Sequence, residues 1–280
     1  VQPETYQSSH TARFVSTINR LVRKDAWELR ELVLAGKDPY ARKKEMMQEI
    51  YDAQCIAFGE PVQTFDFSYR DKDKVYHEER NLTPLDFYHQ YVEGSLRDYV
   101  AIVNEPTEIM PLNKPIQFHG VENMVGRDML ALNLPQKEME ALCVKQLEAG
   151  DAIWFACDAG AYGARKEGVW DPESVCCEAL LDVFSTAMPK GRRLEYNSSS
   201  ATHAMILVGV HFDETGVPDR WKIENSWGKD VGDGGYFVCS EKYFEDFVYE
   251  AVIHKKHLTE AQRKMLEEEP VIINAWDEDH

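Results

Sequence analysis

The chain has 280 residues, 44% hydrophobic and 29% charged, enough to bury a full core as one large domain or two small ones. Its 31 Lys+Arg against 49 Asp+Glu leave a formal charge of −18, a field that repels phosphate backbones and anionic lipid surfaces and makes nucleic acid and membranes poor partners. No apolar run approaches the roughly 20 residues of a bilayer span and no basic-then-apolar leader opens the chain, so the expected location is cytoplasmic.

Helical spacing of Phe14, Ile18, Leu21, Val22, Leu29, Leu32 and Val33 predicts a helix over residues 11–34, stopped by Gly36. Asp38-Pro39 predicts the start of a second helix, with Pro39 at its first position, through Met46, Met47, Ile50 and Ile56 to Gly59. The two read as a helical hairpin whose Met and aromatic positions are core contacts. "VQTFDFSYRDKDKVYHEERNLTP" alternates on both sides of the charged turn at residues 71–74, which predicts a β-hairpin, and Thr83-Pro84 opens a short helix.

A strand is expected near residues 98–103, then a loop through Pro106, Pro111 and Pro115, a helix over 136–148 ended by Gly150, and a buried strand over 152–157. From His203 onward "HAMILVGVHF", "RWKIENSW", "GGYFVC" and "FVYEAVI" are strand-length apolar runs, predicting an antiparallel sheet or half-barrel. Residues 260–269 read as a solvated helix ahead of the tail "PVIINAWDEDH", and Trp154, Trp170 and Trp221 as core aromatics. The expected division is residues 1–95, a helical insertion with a β-hairpin, and residues 96–280, the strand-rich part.

Six cysteines, Cys55, Cys143, Cys157, Cys176, Cys177 and Cys239, show neither CxxC spacing nor Cys/His clustering, which suits reduced, packed thiols. His254 and His257 lack an acidic or thiol partner at ligand spacing, so no metal site is expected, and no cofactor. The glycines of "DAGAYGARKEG" read as a surface loop, because no phosphate-cradling motif runs from strand into helix.

If the "DETGVP" stretch turns the chain, antiparallel pairing of its flanks brings His203 close to Asn225. An amide oxygen accepting one imidazole N–H fixes the tautomer and leaves the other nitrogen to exchange a proton with a nucleophile. Trp227 is placed to cover that hydrogen bond, and Gly228 allows close backbone approach. A structural histidine at a strand start is the plainer alternative.

"THAM", "WKIENSWG" and "GGYF" resemble the histidine and asparagine regions of papain-like cysteine peptidases. With "IWFACDAG", "EKYFEDFVYEAVIHKKHL" and "EEEPVIINAWD" they resemble the bleomycin hydrolase and aminopeptidase C family. The resemblance implies an α+β, papain-like cysteine peptidase fold, a helical insertion followed by an antiparallel β-barrel half. It also implies a cytoplasmic thiol aminopeptidase acting on peptide substrates as a homo-hexamer. By matched motif His203 is the general acid/base and Asn225 its orienter. Trp227, Ala204 and His280 are supporting or substrate-contacting positions, the last because family tails reach into the cleft.

In that family the nucleophile lies in a Cys-Trp motif at a helix N-terminus, where the dipole lowers the thiol pKa. No cysteine of this chain precedes a Trp, and Cys55 falls late in a helical segment. The expectation is therefore a C-terminal part whose partner is an N-terminal segment carrying the catalytic cysteine. The alternative is a catalytically inactive fragment or relic that serves as an assembly or peptide-binding module.

Overall fold

A computed structural model describes residues 11–92, 94, 96–120, 128–175, 178 and 187–274. The chain divides into two compact units, Val1–Glu93 and Gly94–His280. Cys176, Cys177 and His280 lie outside the described residues.

The first unit begins with two helices, α1 (Ala12–Leu34) and α2 (Tyr40–Phe58). Asp38 accepts the Tyr40 N–H at 2.9 Å, so Pro39 stands at the cap position, one residue earlier than expected. Arg42 on α2 reaches Glu28 on α1 at 2.7 Å, and Phe14 meets Phe58 edge-on at 4.9 Å. The core-contact reading is corrected here. Among the apolar positions of both helices only Met46 is buried, while Trp27 and Ile56 are 63% and 89% exposed. The apolar stripe of an amphipathic helix is wider than the single face that one neighbouring helix covers.

The hairpin forms as expected, β1 (Phe65–Arg70) pairing antiparallel with β2 (Tyr76–Leu82). Asp71 fixes its turn by accepting the Asp73 and Val75 N–H groups, both at 2.9 Å. Helix α3 (Pro84–Tyr91) starts with a capping box between Thr83 and Asp86, and its Phe87 and Tyr91 pack on Phe67 at 4.9 and 5.0 Å.

The second unit is built on β3 (Tyr99–Val103), β4 (Lys114–His119), β5 (Met129–Asn133), α4 (Gln136–Glu148), β6 (Ile153–Cys157), β7 (Gly163–Ala164), β8 (Val169–Trp170), α5 (Lys190–Glu195), β9 (His203–Phe212), β10 (Pro218–Glu224), β11 (Tyr236–Ser240), α6 (Glu241–Phe247), β12 (Val248–His254), α7 (Glu260–Met265) and β13 (Val271–Asn274). Among the described residues its strands form one sheet in the order β13-β4-β5-β3-β12-β6-β9-β10-β11-β8-β7. The centre, from β3 to β11, is antiparallel as expected. Parallel pairs stand toward its flanks: β3 with β5, β4 with β13 and β8 with β11.

Several elements were hidden in the sequence. Pro115, read as loop, is the second residue of β4 and pairs with Leu132 of β5, so proline sits near a strand start, where a missing N–H is tolerated. β13 occupies part of the expected tail, and α7 stops at Met265 rather than reaching 269. α6 interrupts an aromatic run, capped by Ser240 accepting the Tyr243 N–H at 3.2 Å, and buries Tyr243, Phe244 and Phe247.

The core lies between the central strands and helices α4 and α6. Trp221 is fully buried, stacked on Phe244 at 4.2 Å, with its indole N–H given to Glu241 at 2.7 Å. Trp170 is buried too, but Trp154 is 41% exposed: on β6 it alternates with inward Ile153 and Phe155, which corrects its assignment to the core.

Candidate active site

His203 opens β9 and Asn225 follows the last residue of β10. Antiparallel pairing sets Glu224 against Ile206, so the next residue on one strand and the first on the other come together at one end of the sheet. The distance from His203 Nε2 to Asn225 Oδ1 is 3.0 Å.

That oxygen also accepts the backbone N–H of Ser226 at 2.8 Å. A backbone N–H can only donate, which identifies this amide atom as oxygen; an oxygen cannot donate to the imidazole, so Nε2 must carry the hydrogen. The proton-accepting lone pair of the neutral ring is then on Nδ1. The amide Nδ2 of Asn225 is buried with no partner among the described residues, a cost of about 1–3 kcal/mol for an unmet donor.

Trp227 stacks on the imidazole, centroids 4.9 Å apart and planes 19° from parallel. The indole is itself positioned by Trp170 at 5.9 Å and Phe237 at 5.6 Å, both edge-on, and by the Arg165 guanidinium 4.5 Å from its centroid. Gly163 is required beside this group: a Cβ there would lie 2.6 Å from Trp170 Nε1. Gly228 has φ +98°, a left-handed conformation that lets the chain turn away after Trp227.

The segment entering β9 is tied down by hydroxyls. Ser199 donates to Asp158 at 2.7 Å and receives the Tyr249 hydroxyl at 2.7 Å. Thr202 accepts the Ala159 N–H at 3.1 Å, while Tyr243 donates to the Asp158 carbonyl at 2.6 Å. Ala204 pairs with Ala156 of β6, one step along from His203. Trp170 was read from the sequence only as a core aromatic, and Arg165, Asp158 and Ser199 were not singled out; their partners are distant in the chain, and no local pattern marks them.

Cys157 is the register partner of His203 across β6 and β9, yet it has no accessible surface, and burial pushes its thiol up to about 12. Cys143 and Cys239 are likewise buried, and their thiols are raised by the same desolvation. Half-buried Cys55 lies near the C-terminal end of α2, in the other unit. The accessible thiolate that a His/Asn pair serves is therefore not among the described cysteines of the unit that holds the pair.

Among the described residues one group of carboxylates has metal-like spacing, Glu140, Glu241 and Glu245. The Lys137 ammonium already bridges all three, at 2.8, 3.4 and 2.6 Å, so the cluster carries its own cation.

A central antiparallel sheet presenting a His–Asn pair under a tryptophan defines a papain-like peptidase fold. The chain belongs to the Peptidase C1-like family, whose model matches residues 1–279. It is 37% identical over 276 residues to aminopeptidase C of Listeria innocua, covering 98% of this chain and 62% of that protein. It is 40% identical over 280 residues to aminopeptidase G of Lactobacillus delbrueckii subsp. lactis, covering 99% and 63%. The crystal structure of PepW from Lactobacillus rhamnosis HN001 superposes with a TM-score of 0.91 at 38% identity, over 98% of this chain and 63% of that one. The chain thus spans a little under two thirds of the length of these relatives. Among the described residues no helix is long and apolar enough to cross a membrane.

Proposed function

We propose that the chain is the acid/base part of a cysteine aminopeptidase, with His203 as the proton-transfer group, Asn225 as its orienter and the nucleophilic thiol supplied from outside these 280 residues. The observation that carries the reading is the doubly determined Asn225 oxygen, which commits Nε2–H to the amide and leaves Nδ1 as the base. Nδ1 takes the proton of the thiol, and the thiolate attacks the scissile carbonyl to form the tetrahedral adduct. As the C–N bond breaks, the imidazolium returns that proton to the departing amine and an acyl-enzyme remains. Water then gives a proton to the same nitrogen while its oxygen attacks the thioester, and the acid product leaves as the thiol is re-protonated. Asn225, being neutral, holds the ring in either protonation state, and Trp227 keeps water from their hydrogen bond.

The proposal extends to peptide N-termini as substrates, since the relatives matched are named aminopeptidases, and to a cytoplasmic homo-hexamer, as the resemblance implies. A second reading, a non-catalytic peptide-binding or assembly module, is favoured by the burial of Cys143, Cys157 and Cys239. Labelling by a thiol-directed peptidyl electrophile, mapped by mass on the complete protein, separates the two. A label on a cysteine beyond these 280 residues, slowed in His203→Ala, supports the peptidase. No labelled thiol and no peptide hydrolysis supports the module. Sedimentation of the same sample reads the assembly.

A further inference from the structure

Arg165 leads the turn between β7 and β8, whose strands pair Gly163 with Trp170 and Ala164 with Val169. Backbone bonds hold that turn: the Gly168 N–H donates to the Ala164 carbonyl at 2.9 Å, the Gly232 N–H to the Lys166 carbonyl at 3.3 Å and the Val238 N–H to the Gly168 carbonyl at 2.8 Å. A fixed backbone thus carries the Arg165 guanidinium to the face of Trp227, 4.5 Å from its centroid. His203 stacks on the same indole at 4.9 Å, so the guanidinium lies no farther from the imidazole than those two spans laid end to end.

Arg165 is exposed and, among the described residues, gives none of its N–H groups to an acceptor. Lys166 is equally unpaired, and Glu167, the acid next in the chain, forms an ion pair with neither. In a chain of formal charge −18 this is a local cationic spot. A guanidinium fixed against an indole but free of acceptors keeps its fork of donors for a planar carboxylate. A second cation would be repelled, and an apolar group would displace water without replacing its hydrogen bonds. In the proposed reaction Nδ1 of His203 returns its proton to the departing amine, so the leaving fragment starts about 3 Å from that nitrogen. From the amine to the terminal carboxylate of a fragment of one or two residues is about 3 to 7 Å. A fragment that short ends within the span between imidazole and guanidinium.

We propose that Arg165 binds a carboxylate on the leaving side of the scissile bond, the terminal carboxylate of a fragment of one or two residues, and is thereby a specificity-determining residue that favours short peptides. Assigning the carboxylate to a peptide rests on the peptidase reading; the affinity of Arg165 for a carboxylate beside Trp227 does not. An acidic side chain carries the same group, and the probes below separate the two sources.

The test uses the complete protein labelled with 5-fluorotryptophan, the Trp227 signal being identified by its loss in Trp227→Phe. Three probes are titrated: N-acetyl-alanine, its amide, and the α-amide of N-acetyl-glutamate, whose only carboxylate is on the side chain. N-acetyl-alanine is expected to shift the Trp227 signal saturably and to bind about fivefold more tightly than its amide, the upper range of an exposed ion pair. Arg165→Gln should erase that difference, whereas a purely structural role in holding the indole would weaken acid and amide alike. Equal binding of acid and amide by the parent protein, or no shift of Trp227 with the acid, overturns the inference whether or not the variant folds. Tighter binding of the glutamate probe than of N-acetyl-alanine overturns the assignment to a terminal carboxylate. In turnover, the preference for alanyl-alanine over alanyl-alanine amide should fall by the same factor in Arg165→Gln. Hydrolysis that needs His203 but ignores the terminal carboxylate removes the site and leaves the peptidase reading standing. Carboxylate binding by a protein that hydrolyses nothing removes that reading and keeps the site.

Discussion

The Nε2–H of His203 donates to Asn225 Oδ1 across 3.0 Å, and that same oxygen takes the Ser226 N–H at 2.8 Å. The amide is thus pinned from two sides, and the imidazole tautomer follows from it. Function and stability should separate at this residue. Asn225→Ala loses two hydrogen bonds of about 1 kcal/mol each but also removes a buried donor that has no partner, so the unfolding free energy is expected to change by less than about 1 kcal/mol. Under the peptidase reading proposed above, kcat should fall about tenfold to a hundredfold as the ring loses its orienter. Urea melts and steady-state kinetics on one preparation check both; a large stability loss with unchanged kcat would make Asn225 structural instead.

The buried thiols give a second expectation. Cys143, Cys157 and Cys239 have no accessible surface and hold their protons at neutral pH, so in the native chain they should resist alkylation by iodoacetamide while half-buried Cys55 reacts first. Peptide mapping after a short pulse reads the order. Native labelling of Cys157 at the rate of Cys55 would reopen its candidacy as nucleophile, since it already pairs in register with His203.

Glu241 sets a pH dependence of stability. Burial first, then hydrogen bonding to Glu140, pushes its carboxyl up to about 8 from an ordinary 4.5. Between those values the folded chain holds a proton that the unfolded chain has released, so this contribution is complete below about 4.5 and is lost as pH rises through 8. Glu241→Gln can still accept the Trp221 indole N–H and does not titrate. Its stability relative to the parent chain should therefore rise between pH 5 and pH 8, as measured by urea midpoints at the two values. A constant difference would place the proton elsewhere in the cluster.

Gly191 on α5 touches a neighbouring loop so closely that a Cβ would meet the Pro106 carbonyl oxygen at 2.0 Å. The obstacle is backbone, which cannot rotate away. Gly191→Ala is expected to cost about 1–3 kcal/mol, read as a lowered urea midpoint. An unchanged midpoint would mean that the loop through Pro106 yields freely.

Legibility in the sequence followed the range of the interactions. α1, α4 and the β1–β2 hairpin were readable because local periodicity, Gly36, Gly150 and the Asp71 turn define them. β4, β5 and β13 were not, since short strands at the flank owe their form to partners far along the chain, and Pro115 disguised one of them. α6 was masked because its buried aromatics continue into the strand that follows. At the site, the closeness of His203, Asn225 and Trp227 could be argued from one hairpin. Arg165 and the Ser199–Asp158–Tyr249 ties needed the fold. The exposed apolar faces of α1 and α2 show the converse: periodicity reports that a face is apolar, not that something covers it.

The most direct test of proton transfer by His203 is kcat/KM of the complete protein on an unblocked peptide, compared with its His203→Ala variant at matched folding. Loss of at least about a thousandfold in the variant, with the thiol still present but slow to alkylate, is the outcome expected if Nδ1 is the base. Turnover at the parent rate with alanine at 203 would contradict it, and would leave the 3.0 Å bond to Asn225 a structural feature of the sheet end.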